Sequence, residues 1–365
     1  MNRIISEDLQ RMYEGLSEAE RGRLRGGRIL LTGAAGFLGF YWLKFLTQFK
    51  NELGIERIIC LDNFQSGTPM WFREMQDCGL VEAHKFNIIS DDIAGIPGAE
   101  DADYIVHMAS IASPVFYRMY PIETLDANVW GLRGLLDFYS RKSIRGFVFF
   151  SSSEIYGDPD PEWIPTPETY RGYVDCQGPR ACYDEAKRFG ETMCYLFAEA
   201  KNMPIAIIRP FNNYGPGMRL NDGRVVADFA NAVRQNRDIV MFSDGSPTRS
   251  FCYISDAVTG YLKCLLHAAD GFDTYNIGMD KPEISIRTLA EIYAEAGREV
   301  LHYKGGIQFG VHEDKAYLQN NPNRRCPDIS KARQQLGYDP AISVEEGVRR
   351  FLAYIKECSE EELVW

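Results

Sequence analysis

The sequence lacks the paired cysteines and clustered histidines that metal-binding proteins use. Its nine cysteines are scattered over 365 residues without a CxxC pair, and it has only five histidines. Structural zinc sites need closely spaced Cys and His ligands, and secreted disulfide scaffolds are short and dense in cysteine. The sequence therefore predicts no metal site and no disulfide framework, and it favours a reducing compartment.

The sequence also lacks an excess of basic charge and any long apolar segment. It has 40 Lys and Arg against 51 Asp and Glu, a net charge of −11. Nucleic acids and anionic lipids bind basic surfaces, and the longest apolar runs are too short for membrane-spanning helices. The start, MNRIISEDLQRMYEGL, is charged where a signal peptide would be apolar. We expect a cytoplasmic protein with no nucleic acid and no membrane partner.

Short β-rich runs alternate with helical stretches from residue 28 to about residue 210. This alternation predicts an α/β fold of the Rossmann type, a doubly wound parallel sheet with helices on both faces. A smaller C-terminal substrate-binding domain follows, because the pattern loosens after FNNYGPGMRLNDGR. The predicted strands are 28–32, 57–61, 83–87, 103–107, 146–151 and 205–209.

These patterns divide the chain into three parts. Residues 1–27 form an N-terminal helical arm, a surface appendage or interface arm in which Ser17 and Glu20 are spaced as a capping box. Residues 28–210 form the dinucleotide-binding domain, and residues 211–356 mainly bind the substrate.

A glycine-rich turn follows the first predicted strand. RILLTGAAGFLG places Gly33, Gly36 and Gly39 before an apolar helix, where glycines let a pyrophosphate approach the N–H groups of the helix start. Taken alone, the glycines could mark only a tight turn. Asp62 ends the second strand, where a carboxylate can bind a ribose 2′-hydroxyl. Since no Arg adjoins Asp62, the pattern predicts NAD rather than NADP.

The GxxGxxG spacing, with YxxxK downstream, resembles the extended short-chain dehydrogenase/reductase family of nucleotide-sugar enzymes, the NAD-dependent epimerases and dehydratases. The resemblance covers roughly residues 28 to 352. It implies that HMAS at 107–110 and Asn128 line the nicotinamide side. The residues expected to bind the cofactor are Gly33, Gly36, Phe37, Leu38, Gly39, Asp62, Asn63, Asn87, Met108, Ala109, Ser110, Asn128, Tyr183 and Lys187.

Tyr183 and Lys187 lie four residues apart on a predicted helix and so share one face. A neighbouring ammonium lowers the pKa of a phenol, which would let Tyr183 take a proton from a sugar hydroxyl while NAD accepts a hydride. A buried Tyr beside a surface Lys is the plainer alternative. The strand FVFFSSSEIYG ends in Ser152, Ser153 and Glu154 at the edge where open α/β sheets bind ligands. We expect Ser152 to bond the reacting oxygen.

The identity of the residue before Glu154 helps to distinguish which reaction of this family is expected. Oxidation of carbon 4 of a hexose makes carbon 5 acidic, so that water or carbon dioxide can next be lost. The 4,6-dehydratases resemble this strand end but carry Asp-Glu, and here Ser153 takes the place of the Asp. A 4-epimerase needs no Glu there. The Ser-Glu pair fits decarboxylation, in which hydroxyls hold the carboxylate and Glu154 assists loss of carbon dioxide or proton transfer at carbon 5.

Five further stretches resemble the UDP-glucuronate decarboxylases: SSSEIYGDPD, GPRACYDEAKRFGETMCY, NDGRVV, SPTRSFCYISD and RRCPDISKA. The resemblance implies a UDP-linked uronic acid as substrate and a product of the UDP-xylose type. It implies that Arg249 is catalytic and reaches the diphosphate or the sugar. Asn212 or Asn213, with Arg324 and Arg325, would hold the phosphates and ribose. Each Arg could instead form a surface ion pair.

The chain departs from these decarboxylases in the loop of residues 175–177, which reads DCQ and would border the sugar. It also departs at Gly217, where a basic residue is usual, and at Asn87, where an Asp would meet the adenine. The first two departures leave the exact sugar and the base of the nucleotide open, and the altered loop permits a 4-epimerase or 4,6-dehydratase of a related nucleotide sugar. A non-catalytic NAD-binding regulatory protein is a separate alternative, against which the presence of Ser152, Glu154, Tyr183 and Lys187 speaks.

The helix that contains Tyr183 continues as FGETMCYLFAEA, which is apolar on more than one face. Burial against the sheet would explain this pattern. In the resembling family this helix pairs with another across a dimer, so the resemblance implies a homodimer.

Overall fold

In the computed structural model, which describes residues 2–311 and 321–364, a parallel sheet of seven strands forms the centre of the molecule. The strands are β1 (Arg28–Thr32), β2 (Arg57–Asp62), β3 (Glu82–Lys85), β4 (Tyr104–His107), β5 (Gly146–Phe150), β6 (Ile205–Pro210), β7 (Asn213–Tyr214), β8 (Ile239–Met241), β9 (Thr248–Arg249), β10 (Cys252–Tyr253), β11 (Asp273–Ile277), β12 (Ile284–Ser285), β13 (Ile307–Phe309) and β14 (Arg324–Arg325). The central sheet has the order β11-β6-β5-β4-β1-β2-β3.

Helices cover both faces of this sheet. They are α1 (Arg3–Glu14), α2 (Glu18–Arg23), α3 (Phe37–Gln48), α4 (Met70–Asp77), α5 (Pro114–Met119), α6 (Pro121–Asp126), α7 (Leu132–Tyr139), α8 (Ala181–Lys201), α9 (Val225–Arg234), α10 (Ile254–His267), α11 (Ile286–Leu301), α12 (Ser330–Leu336), α13 (Val344–Glu357) and α14 (Glu360–Leu363). The two large apolar clusters of the core lie on opposite faces of the strands. The predicted Rossmann-type sheet is confirmed, and β1 and β4, between which the strand order reverses, open a crevice at their carboxyl ends.

One strand of the sheet comes from the segment that we assigned mainly to substrate binding. β11 pairs in parallel with β6, from Asp273 beside Ala206 to Ile277 beside Pro210. Helix α10 packs against β5 and β6. The predicted boundary at residue 210 therefore does not separate the sheet from the rest of the chain. The strand DTYNI was missed because its first residues are polar and partly exposed.

Short sheets outside the central sheet cover its carboxyl edge. They pair β9 with β12 on one side and β14 on the other, β10 with β7, and β13 with β8. Residue 1 of the arm, residues 312–320 of the C-terminal part and residue 365 lie outside the described residues. Within the described residues, no helix combines the length and the apolar composition needed to cross a membrane.

The N-terminal arm is part of the core, and the expectation of a surface appendage is wrong. The capping box predicted in α2 is present, with Ser17 and Glu20 bonded reciprocally. Leu9 and Met12 of α1 are almost fully buried, as is Asp8. Asp8 binds Arg350 of α13 at 2.8 Å and accepts a hydrogen bond from Tyr253 at 2.8 Å. The arm was misjudged because its apolar residues are a single stripe in a charged sequence, which a surface helix would also show.

Candidate active site

A cavity of about 1000 Å³ opens at the carboxyl edge of the sheet. Thr32, Asp62, Phe150 and Pro210, the last residues of β1, β2, β5 and β6, all border it. Every predicted site residue lines this cavity except Gly39, His107, Asn128 and Arg324. The structure thus brings together residues that lie as far apart in the chain as 33 and 325.

The glycine turn between β1 and α3 lies at one end of the cavity. Gly33 has a φ of +68°, and a Cβ there would lie 2.8 Å from the backbone of Ala109. Gly39 does not border the cavity, and its role is packing, since a Cβ there would lie 2.1 Å from the carbonyl oxygen of Ala34. These positions require glycine, which explains the spacing of the motif.

Asp62 closes the same end of the cavity. Its carboxylate accepts hydrogen bonds from the backbone N–H groups of Ala35, at 3.0 Å, and Phe64, at 2.9 Å. Burial raises the pKa of Asp62, against the effect of these bonds. An open glycine turn at a helix start, beside a carboxylate at the end of the next strand, fits a dinucleotide.

Asn87 and the segment after β4 border the cavity as predicted, whereas Asn128 does not. Asn128 lies in a π-helical segment, Ala127–Gly131, and is fully buried. Its side-chain amide donates to the carbonyl oxygen of Thr124 at 2.7 Å. Ser110 has a buried hydroxyl in the cavity wall that makes no hydrogen bond within the described part of the chain, and the Oδ1 of Asn128, outside that wall, makes none there either. A buried polar atom without a hydrogen-bond partner indicates that a ligand binds beside it.

Tyr183 and Lys187 lie on α8 beside the end of β5. The Lys187 ammonium donates to the carbonyl oxygen of Phe150 at 2.6 Å and lies 5.6 Å from the centre of the Tyr183 ring. Ser152 hydrogen-bonds Tyr183 and also accepts the N–H of Glu154 at 3.2 Å. Ser152, Tyr183 and Lys187 therefore form one connected group at the predicted place.

The pKa of Tyr183 is raised overall in this structure, although Lys187 lies one helical turn away. Burial raises the pKa of Tyr183 to about 12, although the hydrogen bond from Ser152 opposes that rise. Burial also lowers the pKa of Lys187 to about 7. Desolvation disfavours both charged forms, and the Lys187 ammonium is bonded to a backbone carbonyl rather than to the phenol.

Glu154 is held by two arginines at the opposite end of the cavity. Arg325 binds both of its oxygens, at 2.6 and 2.5 Å, and Arg180 binds one. Although burial opposes ionisation, these two guanidiniums lower the pKa of Glu154 to about 2. Glu154 is therefore a paired anion here and cannot donate a proton until its partners move. Ser153 beside it is buried and borders the same space.

A third guanidinium, that of Arg249, lies beside this pair. Backbone carbonyls hold it, those of Thr248 at 2.7 Å and Asn323 at 3.0 Å. Burial lowers the pKa of Arg249 to about 9, and the positive charges of Arg325 and Arg180 act in the same direction. Among the residues that the structure describes, the guanidiniums of Arg180, Arg249 and Arg325 thus lie together around the carboxylate of Glu154.

The remaining predicted substrate residues differ in position. Asn212, at φ +39°, and Asn213 border the cavity. Arg324 does not, because its guanidinium binds Glu283 at 2.6 Å and its side chain is 42% exposed. Neighbouring residues of a strand point to opposite faces, so only one arginine of the RR pair can face the cavity. For Arg324, the surface ion pair is the arrangement observed.

Two departures from the resembling family lie away from the cavity. Residues 175–177 are exposed and are not part of the cavity wall. Gly217 has a φ of +87°, and a Cβ there would lie 2.6 Å from the Phe40 ring. The loop change does not touch the cavity wall, and the glycine is required by the backbone and by Phe40.

Sequence reasoning missed three residues of the site, namely Arg180, Tyr117 and Asp184. Arg180 precedes α8 and joins Glu154 to the helix of Tyr183. Tyr117 stacks on Tyr183 with ring centres 5.3 Å apart. The spacing of Arg180 and Asp184, three before and one after Tyr183, was an available signal, but ion pairing between distant segments is not visible in a sequence.

The chain matches the model of the NAD dependent epimerase/dehydratase family over residues 29–278. It therefore belongs to that family, and the predicted family and cofactor, NAD, are confirmed.

Its similar curated proteins define the class more narrowly. It is 36% identical to UDP-glucuronic acid decarboxylase 1 of Arabidopsis thaliana over 89% of this chain and 69% of that protein. It is 34% identical to UDP-glucuronic acid decarboxylase 3 of the same plant, over 88% and 86%.

Solved structures show the same fold. A UDP-glucose 4-epimerase of Thermotoga maritima, solved with UDP-glucose, has a TM-score of 0.76 at 23% identity and covers 90% of this chain and 99% of its own. A dTDP-glucose 4,6-dehydratase of Streptomyces venezuelae, solved with NAD, has a TM-score of 0.76 at 20% identity, over 90% and 97%.

Proposed function

We propose that this protein is an NAD-dependent UDP-glucuronate decarboxylase. The similar decarboxylases support the reaction, and the charge at the sugar end of the cavity carries the proposal. Arg180, Arg249 and Arg325 are each less than a tenth exposed, and in the part of the cavity wall that the structure describes Glu154 is the strongly ionised carboxylate paired with Arg180 and Arg325. Buried charge is costly unless it is paired. A sugar carboxylate would supply the missing negative charge.

The dinucleotide end would hold NAD through the turn at Gly33 and Gly36, with Asp62 on the ribose. When bound, NAD supplies the oxidising chemistry at carbon 4, taking a hydride and returning it within one turnover.

The reacting hydroxyl would lie between Ser152 and Tyr183. Tyr183 would take the proton from the oxygen on carbon 4 and give it back, and Ser152 would hold that oxygen. The Lys187 ammonium, anchored on Phe150, fixes the helix face on which Tyr183 lies. Tyr117 stacks on the Tyr183 ring and restricts its orientation.

Glu154 and Ser153 would act at carbons 5 and 6. A β-keto carboxylate loses carbon dioxide and leaves electrons at carbon 5, which then needs a proton. Arg249 and Arg325 would hold the departing carboxylate. Glu154, once its arginines move, would accept a proton from water and pass it to carbon 5. A 4-epimerase of UDP-glucuronic acid would also hold a sugar carboxylate, so the preference for the decarboxylase rests on the similar decarboxylases and on the Ser153-Glu154 pair.

Mass spectrometry of UDP-glucuronate incubated with the purified protein and NAD tests the proposal. A product lighter by one carbon dioxide is expected. An unchanged mass with a new NMR spectrum would mean epimerisation, and loss of water would mean dehydration. Untouched substrate alongside tight NAD binding would favour the non-catalytic alternative. Glu154→Gln should retain NAD binding and lose the lighter product.

We also propose a homodimer formed through α8 and α6. These helices pack side by side, and exposed apolar side chains lie on both. The exposed residues are Ile122, Leu125, Phe189, Tyr195 and Leu196. A patch of this kind is typical of an interface. Light scattering should give twice the chain mass, and Leu196→Glu should give the monomer, whereas the exposed Glu199→Lys on the same helix should not. A wild-type monomer would contradict this.

A cytoplasmic location is supported by the thiols, since all nine cysteines are free. Cell fractionation should place the protein with soluble cytosolic markers, and recovery in a secreted or organellar fraction would contradict this.

A further inference from the structure

Asp184, next to Tyr183 in α8, is a buried carboxylate with no role in the proposed reaction. Its side chain is 8% exposed, and its Oδ2 lies 3.5 Å from the Nε of Arg180. That distance is long for a hydrogen bond. Within residues 2–311 and 321–364, Arg180 Nε and Asp184 Oδ1 are both buried and make no hydrogen bond. A small rotation of the Arg180 guanidinium toward Asp184 would satisfy both groups.

Within the described residues, Arg180 is shared between two carboxylates, whereas Arg325 pairs with Glu154 alone. Both Nη atoms of Arg325 bind Glu154, at 2.6 and 2.5 Å. Arg180 uses Nη2 for Glu154 and turns Nε toward Asp184. Of the two guanidiniums on Glu154, Arg180 is therefore the one with a second anionic neighbour in place.

We propose that Asp184 is a positioning residue that holds Arg180 away from Glu154 when a sugar carboxylate enters the cavity. This inference rests on the proposed decarboxylation. An incoming carboxylate competes with Glu154 for the guanidiniums, and Asp184 offers Arg180 another partner. Glu154 is then free to move a proton at carbon 5. A neutral hexose brings no such competitor and leaves Glu154 paired with both arginines.

The charge of Asp184 makes this exchange dependent on pH. Burial, followed by repulsion from Glu154, raises the pKa of Asp184 to about 7. Below that pH the carboxyl is neutral and attracts Arg180 weakly, and above it the carboxylate can hold Arg180. The charged and titratable groups that face Asp184 are Glu154, Arg180, Arg325, Tyr117, Tyr183 and Cys182.

Steady-state kinetics of Asp184→Asn with UDP-glucuronate tests the inference. We expect kcat at about pH 8.5 to fall by about tenfold or more, with KM unchanged or lower, since the variant keeps every guanidinium. The ratio of wild-type to variant kcat should approach one near pH 6, where Asp184 is neutral. Glu185→Gln removes a charge from the next residue, outside the cavity wall, and should behave as wild type. A ratio independent of pH, or a KM that rises as kcat falls, would overturn the proposal.

A crystal structure of the Tyr183→Phe protein with NAD and UDP-glucuronate tests it without altering Asp184. Arg180 should bind Asp184 and no longer bind Glu154. Arg180 still on Glu154 would overturn the inference. Carbon dioxide release by the wild type is scored separately, so a failure of the proposed function is distinguishable. If UDP-glucuronate does not bind at all, both claims fall.

Discussion

The two ends of the cavity are built in different ways. The dinucleotide end relies on backbone, with a left-handed glycine at 33 and the N–H group of Ala35 bonded to Asp62. The sugar end relies on charged side chains, with Arg180 and Arg325 bound to Glu154 from different segments of the chain. The first end fits NAD, the cofactor of the whole family. The second end fits the anionic sugar of the proposed reaction. Changes at each end should therefore have separable effects.

Tyr183→Phe should have the largest effect. Removing the phenol oxygen takes away the group that moves the proton at carbon 4, so kcat should fall by about 10²–10⁴-fold. NAD affinity, measured by calorimetry, should change little, because the glycine turn is untouched. Turnover close to that of the wild type would remove Tyr183 from the chemistry.

Arg325→Ala should disrupt the sugar end of the cavity and leave the dinucleotide end intact. Glu154 would lose two of its hydrogen bonds, and breaking a buried ion pair costs about 3–5 kcal/mol. We expect the loss of folding stability to lie near the lower end of this range, because Arg180 still binds Glu154. Release of carbon dioxide should stop while NAD still binds.

Arg324→Ala is the matched control for Arg325→Ala. Arg324 is the neighbouring residue on β14, and its exposed ion pair with Glu283 should contribute about 0–1 kcal/mol. Thermal unfolding and activity assays compare the two variants. Equal effects on activity would contradict the assignment of Arg325 to the cavity.

Gly33→Ala should break the dinucleotide end. Ala in a left-handed conformation costs about 1–2 kcal/mol, and its Cβ would meet the backbone of Ala109. NAD affinity should fall by about tenfold or more. The control is Gly134→Ala, where a Cβ would meet no atom within 4 Å. Unaltered NAD binding by Gly33→Ala would show that the turn does not hold the cofactor.

The smallest expected effect is a change with pH in the stability difference between the wild type and Glu154→Gln. The folded pKa of Glu154 is about 2, below its ordinary value of 4.5, so its pairing stabilises the protein above about pH 4.5 and is lost as the pH falls toward 2. Glu154→Gln should therefore be less stable than the wild type at neutral pH, and the difference should shrink in acid. Urea unfolding at several pH values measures it. A constant difference would argue against the pairing.

The same contrast explains what the sequence could predict. Local sequence patterns were enough to predict six strands of the sheet, the glycine turn, and the group of Ser152, Tyr183 and Lys187. Each of these features depends on residues that are neighbours in the sequence. Arg180 was missed because its partner Glu154 is brought to it only by folding, whereas the four-residue spacing of Arg180 and Asp184 was visible in the sequence. The RR pair at 324 and 325 was predicted as a unit, although strand geometry sends the two side chains to different surroundings.

The remaining errors have the same origin. The arm at 1–27 is buried because Asp8 meets Arg350 and Tyr253, residues more than 240 positions away. β11 joins the sheet through pairing with β6, which its own composition does not indicate. In each case a long-range contact overrides a weak local pattern.

The most direct test of the role proposed for the sugar end of the cavity is to follow carbon 6 of the substrate. UDP-glucuronate labelled at that carbon should release its label as carbon dioxide when incubated with the wild type and NAD, and Arg325→Ala and Glu154→Gln should release none. Label that stays in the sugar nucleotide with the wild type would contradict the account, and the arginines around Glu154 would then need another anionic partner.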